Sequence, residues 1–358
     1  KFEKKARIPE KIEYEPEKDK AFPAGFTLSP DFTPYWLEDY QALALGIKQI
    51  KVKSSPSTSP EKKEQGDKET SPAAKLDDID ESELPDLILW HWQDPRLQSQ
   101  QQVEEVWDAS YSYLSLYRPL EKKFVRLADD NLRRVTLGSK SDLAIGRDQS
   151  PYELEFSLTG ASYQDIYIID LKTGERKLAL KKNRWSFGLS PDTRYLLYYQ
   201  DGHFFSYELA TGQSFNLTAG LPASFADEDV DYNVKLQPDI PFGWSKDSRY
   251  VLLSDGWDVW QAEARGRSGL NLTGNGAKDE IHYQRRFLLD PEEKGIDLSQ
   301  PQYFLTYGEW NKKQGITRIE AARKVSRLLF FEDAQFNRLL KAKKAERYLF
   351  TRETYRDF

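Results

Sequence analysis

The 358 residues carry 58 acidic side chains against 52 Lys and Arg, a net charge of −6, with no cysteine and no methionine. The missing cysteine excludes disulfides, thiolate metal sites and a cysteine nucleophile. With 31% of residues charged and no apolar run approaching roughly 18 residues, no membrane-spanning helix is predicted, and a weak, mixed charge argues against nucleic-acid binding through a basic field.

In chain order, residues 1–24 are charged and broken by proline, and read as an extended lead-in. Residues 25–52 hold two apolar runs around a turn at Ser29-Pro30-Asp31. Residues 53–85 are Ser, Pro, Lys, Glu and Asp with almost no large apolar side chain. Such a stretch cannot bury enough surface to offset its ordering entropy, so it is predicted to be a disordered surface insertion between two strands of one sheet; an interaction tail is the alternative. Residues 86–92 (DLILWHW) read as a strand, and 94–110 as a helical or irregular connection. YSYLSLYRP and KKFVRLAD suggest a hairpin, and 133–148 brings a second small-polar turn at Ser139. The stretch 187–218 then reads as turn (Ser190-Pro191-Asp192-Thr193), strand, Asp201-Gly202 turn, strand, Thr211-Gly212 turn, strand. A related unit starts at Ser245-Lys246-Asp247-Ser248; 301–333 is rich in hairpins, and 336–358 begins one more unit.

The units repeat. The turns at Ser29, Ser139, Ser190 and Ser245 lie 110, 51 and 55 residues apart, and the first gap contains the low-complexity insertion. The Asp170–Gly174 and Glu208–Gly212 turns share an acidic-Leu-x-Thr-Gly wording, and Asn-Leu-Thr occurs at 216 and again at 271. Repeats of about 40–55 residues made of several short strands predict an all-β fold, a β-propeller of four-stranded antiparallel blades. One small sheet cannot keep both faces dry, so neighbours must lean on one another. The turn residues fit: Pro pre-sets φ, and Ser29, Ser139, Ser190, Asp192, Ser245 and Asp247 can hydrogen-bond the reversing backbone. Five to six blades are expected over 25–358, with the last one incomplete, and the chain is expected to begin and end inside a longer reading frame.

Few side chains suggest chemistry. His91, His203 and His282 show neither His-x-His nor His-x-x-His spacing, and each is read as structural in a strand. The most suggestive polar cluster is Asp227, Glu228, Asp229 and Asp231 in a long inter-strand loop. It reads first as solvated; the functional alternatives are a Ca²⁺ contact or a seat for a peptide's amino end, although EF-hand spacing is absent. No metal site and no cofactor is expected. Asn-Leu-Thr matches a glycosylation acceptor, but its recurrence points to strand-end geometry. The tryptophans of WHW (90–92) and GWDVW (256–260) could be stacking platforms, and read more simply as core between blades.

The turns resemble the TolB and WD40-like propeller repeat, with Phe32, Thr193 and Ser248 where that repeat has glycine. Longer phrases, 85–104, 152–177, 216–233, 243–261 and 342–358, resemble the N-terminal propeller of a bacterial branch of the prolyl oligopeptidase family, the S9 serine peptidases. The resemblance implies a non-catalytic propeller that limits access of peptides to an α/β-hydrolase domain bearing a Ser-Asp-His triad. It also implies peptide substrates, that hydrolase domain as partner, and a periplasmic or secreted location. No Gly-x-Ser-x-Gly elbow occurs in the sequence; GRSGL at 266–270 has its glycine one position too early. The catalytic half is therefore expected beyond Phe358. The alternative is a stand-alone TolB-like propeller that binds a protein or peptide. A sialidase-like propeller is disfavoured because the arginines are scattered along the sequence.

Overall fold

A computed structural model describes residues 13–50, 90–138, 142–227 and 237–356. The first sheet holds β1 (Phe26–Leu28), β2 (Tyr35–Trp36), β3 (Leu43–Gln49), β4 (Tyr113–Arg118) and β5 (Lys123–Arg126), with β1 and β2 both paired to β3 as one interrupted first strand. The second holds β6 (Arg134–Leu137), β7 (Leu143–Asp148), β8 (Gln164–Asp170) and β9 (Arg176–Asn183). The third holds β10 (Trp185–Leu189), β11 (Tyr195–Gln200), β12 (His203–Glu208) and β13 (Ser214–Asn216). The fourth holds β14 (Gly243–Trp244), β15 (Tyr250–Ser254), β16 (Val259–Glu263) and β17 (Gly269–Asn271). The fifth holds β18 (Ile281–Arg286), β19 (Gln302–Gly308), β20 (Gln314–Glu320) and β21 (Val325–Glu332), and β22 (Leu339–Lys341) pairs with β23 (Tyr348–Phe350). All these pairings are antiparallel and follow chain order, which makes an all-β, β-propeller-like fold.

The strand sequences explain the stacking. In β11 all of Tyr195–Tyr199 is buried, which a one-sided sheet would not allow. Successive side chains point to opposite faces. Tyr195, Leu197 and Tyr199 pack with Trp244, Val251, Leu253 and Trp260 of the fourth sheet, while Leu196 and Tyr198 pack with Ile145, Ile166 and Ile168 of the second. The same two-sided packing joins first to second sheet through Leu116, Val125, Ala144 and Ile169. It joins fourth to fifth through Leu252, Val259, Phe304 and Ile319, and fifth to the last hairpin through Tyr303, Ile316, Phe336 and Leu339. Each fully buried aromatic or branched side chain contributes roughly 2–3 kcal/mol through surface removed from water. The free face of the first sheet, with Leu45, Ile47, Tyr117, Phe124 and Phe26 of β1, is covered by Tyr14 and Phe22. The described part of the lead-in, with a 3-10 turn at Pro16–Lys18, packs against this sheet, with Tyr14 stacked 3.9 Å from Tyr117.

The small-polar turns do structural work where they join first to second strands. Ser190 Oγ donates to Asp192 Oδ1 at 2.6 Å and accepts the Tyr195 N–H at 2.9 Å; Ser245 repeats this with Asp247 and Tyr250 at 2.6 and 2.9 Å. Thr193 and Ser248, which replace the repeat's glycine, sit at φ of 60° and 59°, in the left-handed region. Ser248 Oγ also accepts the Asp192 N–H at 3.1 Å, stitching one turn to the next. Ser29 is placed differently: it lies between β1 and β2, and the reversal of the first sheet runs instead through Leu37–Ala42, where the Leu37 N–H donates to the Ala42 carbonyl. Ser139 lies outside the described residues. The two Asn-Leu-Thr stretches share one geometry, in which the side chains of Asn216 and Asn271 accept the N–H of Thr218 and Thr273, each at 3.0 Å.

One end of the sheets is tied together by a connection of the fifth. In the β18–β19 connection Ile296 bridges to Ser245, Gly295 lies against Pro191 and Lys246, and Lys294 pairs with Glu38 at 2.9 Å. This connection of the fifth sheet thus ties together the first-to-second strand turns of the first, third and fourth sheets. At the opposite end lie the second-to-third strand connections and the sheet-to-sheet crossovers. There α1 (Gln98–Ser110) falls between β3 and β4, and α2 (Glu153–Thr159) between β7 and β8. Arg96 pairs with Glu104 and Asp108 of α1 at 2.6 and 2.8 Å, and Arg133 ties Asp108 to the first crossover at 2.9 Å. The expected strand at 86–92 is corrected in its described part: Trp90, His91 and Trp92 belong to no strand. Trp90 and Trp92 are 50% and 74% exposed, so they are not core. The proposed insertion, 53–85, lies outside the described residues.

Candidate functional site

The open end holds a cavity of about 630 Å³ between the third, fourth and fifth sheets, whose walls include Asp227, Asp239, Asp255, Trp257 and His282. Three separate segments supply it: the β13–β14 crossover, the β15–β16 turn and the start of β18.

The β15–β16 turn is fixed by one carboxylate. Asp255 Oδ1 accepts the N–H of Trp257 at 3.0 Å and of Asp258 at 2.6 Å, and its Oδ2 accepts the Trp260 indole N–H at 2.7 Å. This presents the Trp257 ring to the cavity, where it stacks on His282 at 4.0 Å and 21°. His282 Nδ1 donates to the Gly256 carbonyl at 2.7 Å, and its Nε2 lies 3.1 Å from Glu309 Oε2. Asp239 accepts the Ser254 hydroxyl at 3.0 Å. Burial pushes its carboxyl above the usual range; the Ser254 bond partly offsets this, and the charges of Asp227 and Asp255 push it further up. The result is a half-enclosed, negatively charged cavity with an aromatic wall. Its chemistry suits a protonated amine or guanidinium, held by carboxylates and stacked against Trp257.

Of the acidic run read from the sequence, Asp227 lines this cavity and its N–H donates to the Gln237 carbonyl at 2.6 Å. Glu228, Asp229 and Asp231 lie outside the described residues. His203 Nδ1 lies 3.2 Å from Thr218 Oγ1, and His91 Nδ1 accepts the Gln93 N–H at 3.2 Å; among the described residues the three histidines share no hydrogen-bond partner. Trp260 is core at 6% exposure, whereas Trp257 of the same pentapeptide faces the cavity. Asp239, Asp255 and His282 were not legible as site residues, because nothing in their spacing shows that they meet. Among the described residues no group of three His, Asp or Glu side chains is arranged to hold a metal ion, and no helix is long and apolar enough to cross a membrane.

Among solved structures, the chain is similar to a TolB protein from Agrobacterium tumefaciens, with 17% identity, a TM-score of 0.34, and coverage of 62% of this chain and 76% of that one. It is also similar to the dipeptidyl peptidase 4 of Porphyromonas gingivalis, at 10% identity and a TM-score of 0.42, covering 63% of this chain and 38% of the peptidase. A prolyl endopeptidase matches at 14% identity and a TM-score of 0.38, over 64% of this chain and 34% of its own length. The chain thus spans well under two thirds of either peptidase. No family model and no curated protein matches it.

Proposed function

We propose that this chain is the non-catalytic propeller portion of an S9-type serine peptidase, and that it gates the access of peptides to an α/β-hydrolase domain lying outside residues 1–358. The observation that carries this reading is the difference between the two ends of the sheets. At one end Lys294, Gly295 and Ile296 tie the turns of the first, third and fourth sheets together. The other opens into a cavity with carboxylates and an aromatic wall, where a peptide's amino end or a basic side chain would be seated by Asp227, Asp239 and Asp255. Large apolar side chains stand exposed at that same end, namely Val103, Val106 and Trp107 on α1 and Leu154 and Leu158 on α2. An adjoining domain would cover them. The ordered phrases that resemble S9 propellers support the same reading, and a periplasmic or secreted location belongs with it.

The test uses the polypeptide that the source cell makes. It is isolated by antibody against this chain, treated with a fluorophosphonate probe and mapped by mass spectrometry. Labelling of a serine on the same polypeptide, outside these residues, is the expected result. An unlabelled polypeptide that retains peptide binding would instead establish a stand-alone TolB-like propeller.

A further inference from the structure

A second cavity, about 640 Å³, opens at the same end between the first strands of the first three sheets, and its chemistry is the reverse of the first. Its walls include Arg133, Arg134 and Arg147 and, among the described residues, no carboxylate. Arg133 is already paired with Asp108 at 2.9 Å. The other two are not. Arg134 on β6 and Arg147 on β7 are directly opposite one another in the strand register, a placement that costs stability for like charges. Among the described residues neither has an ion pair. Arg147 Nη1 donates to Thr136 Oγ1 at 2.8 Å and its Nε to Ser186 Oγ at 3.4 Å; Gln164 Nε2 also donates to Ser186 Oγ, at 3.1 Å. Both hydroxyls are occupied as acceptors, so their own protons remain available to a further acceptor. Burial holds the Arg147 guanidinium below its ordinary value, and the neighbouring charge of Arg134 adds to this.

A half-buried cation faces another cation across a strand pair, in a chain whose net charge is −6, with no compensating carboxylate among the described residues. We propose that Arg134 and Arg147, with the hydroxyls of Thr136 and Ser186, form an oxyanion-binding site that takes a carboxylate or a phosphate group between the first strands of the sheets. Two guanidiniums supply parallel N–H donors to one oxyanion, and the hydroxyl protons complete the set. Occupation removes the repulsion between the arginines as well as adding bonds. The site stands on this chain alone and does not depend on the peptidase reading.

Calorimetric titration of the chain tests it, with N-acetylglycine, N-acetylglycinamide and inorganic phosphate as probes. Saturable binding of N-acetylglycine but not of its amide identifies a carboxylate site; saturable binding of phosphate identifies a phosphate site; either supports the proposal. R134Q, at an exposed position, and R147Q are each expected to weaken binding about tenfold or more. Without anion, R147Q is expected to melt no lower than the parent, because it removes a like-charge pair; R249Q, outside the cavity, should bind normally. No saturable binding of either anion, or binding unchanged in both R134Q and R147Q, would overturn the proposal.

Discussion

Glu208 ends β12 and is buried, with its side chain only 4% exposed. Its carboxylate receives Arg194 Nε at 2.8 Å and Nη2 at 2.7 Å, Arg265 Nη2 at 2.8 Å, and the Thr211 hydroxyl at 2.8 Å. Arg265 belongs to the fourth sheet's β16–β17 turn and also reaches the Tyr195 hydroxyl at 3.1 Å, so one carboxylate pins two sheets. Burial alone would raise its pKa. The bonds from Arg265, Arg194 and Thr211 outweigh burial and hold the group at about 2 against an ordinary 4.5. By linkage, a carboxyl held down that far stabilises the fold by at most about 3 kcal/mol, and both arginines are partly open to solvent, so about 2 kcal/mol is expected. The folded-state value is depressed, so this stability is fully present above pH 4.5 and is lost as pH falls toward 2. Urea unfolding of the parent and E208Q, followed by tryptophan fluorescence at pH 7 and pH 3, measures it. The parent should exceed E208Q by about 2 kcal/mol at pH 7, and the gap should shrink by roughly half or more at pH 3. Equal midpoints at pH 7, or a gap that does not change with pH, would refute the reasoning.

Ser190→Ala and Ser245→Ala each leave a backbone N–H of the next strand without its acceptor, and should cost about 1–2 kcal/mol in chemical denaturation. Because Ser248 Oγ accepts the Asp192 N–H, the two losses should not be additive. Gly266 sits at φ 69° with space for no Cβ, which would fall 2.0 Å from the Asn216 carbonyl oxygen; Gly266→Ala should cost about 2 kcal/mol or more and lower the thermal midpoint accordingly. Asp239→Asn should raise the melting temperature at neutral pH, since an acid whose folded-state pKa is raised destabilises the fold when ionised. That gain should vanish as pH falls below the ordinary carboxylate range, which a pH series of melting curves would record.

Much of the architecture was legible in the residues. Runs such as Tyr195–Tyr199, buried throughout, announce strands covered on both faces, and the Ser-x-Asp and Thr-Gly turns mark where they reverse, because those turns are built from neighbouring side chains and backbone. Helix α2 was hidden for the opposite reason. Leu154, Phe156 and Leu158 alternate like a strand, yet the segment coils and stops at Gly160, whose φ is 71°. The helix is 7 residues long, too short for its own periodicity to dominate. Ser29 shared the wording of the turns without their place, since an interrupted first strand is a matter of pairing to β3. The sites were beyond local reading altogether. Asp227, Asp239, Asp255 and His282 meet only because one sheet leans on the next. Arg134 and Arg147 face each other only through strand register, which depends on partners far along the chain rather than on near neighbours in sequence.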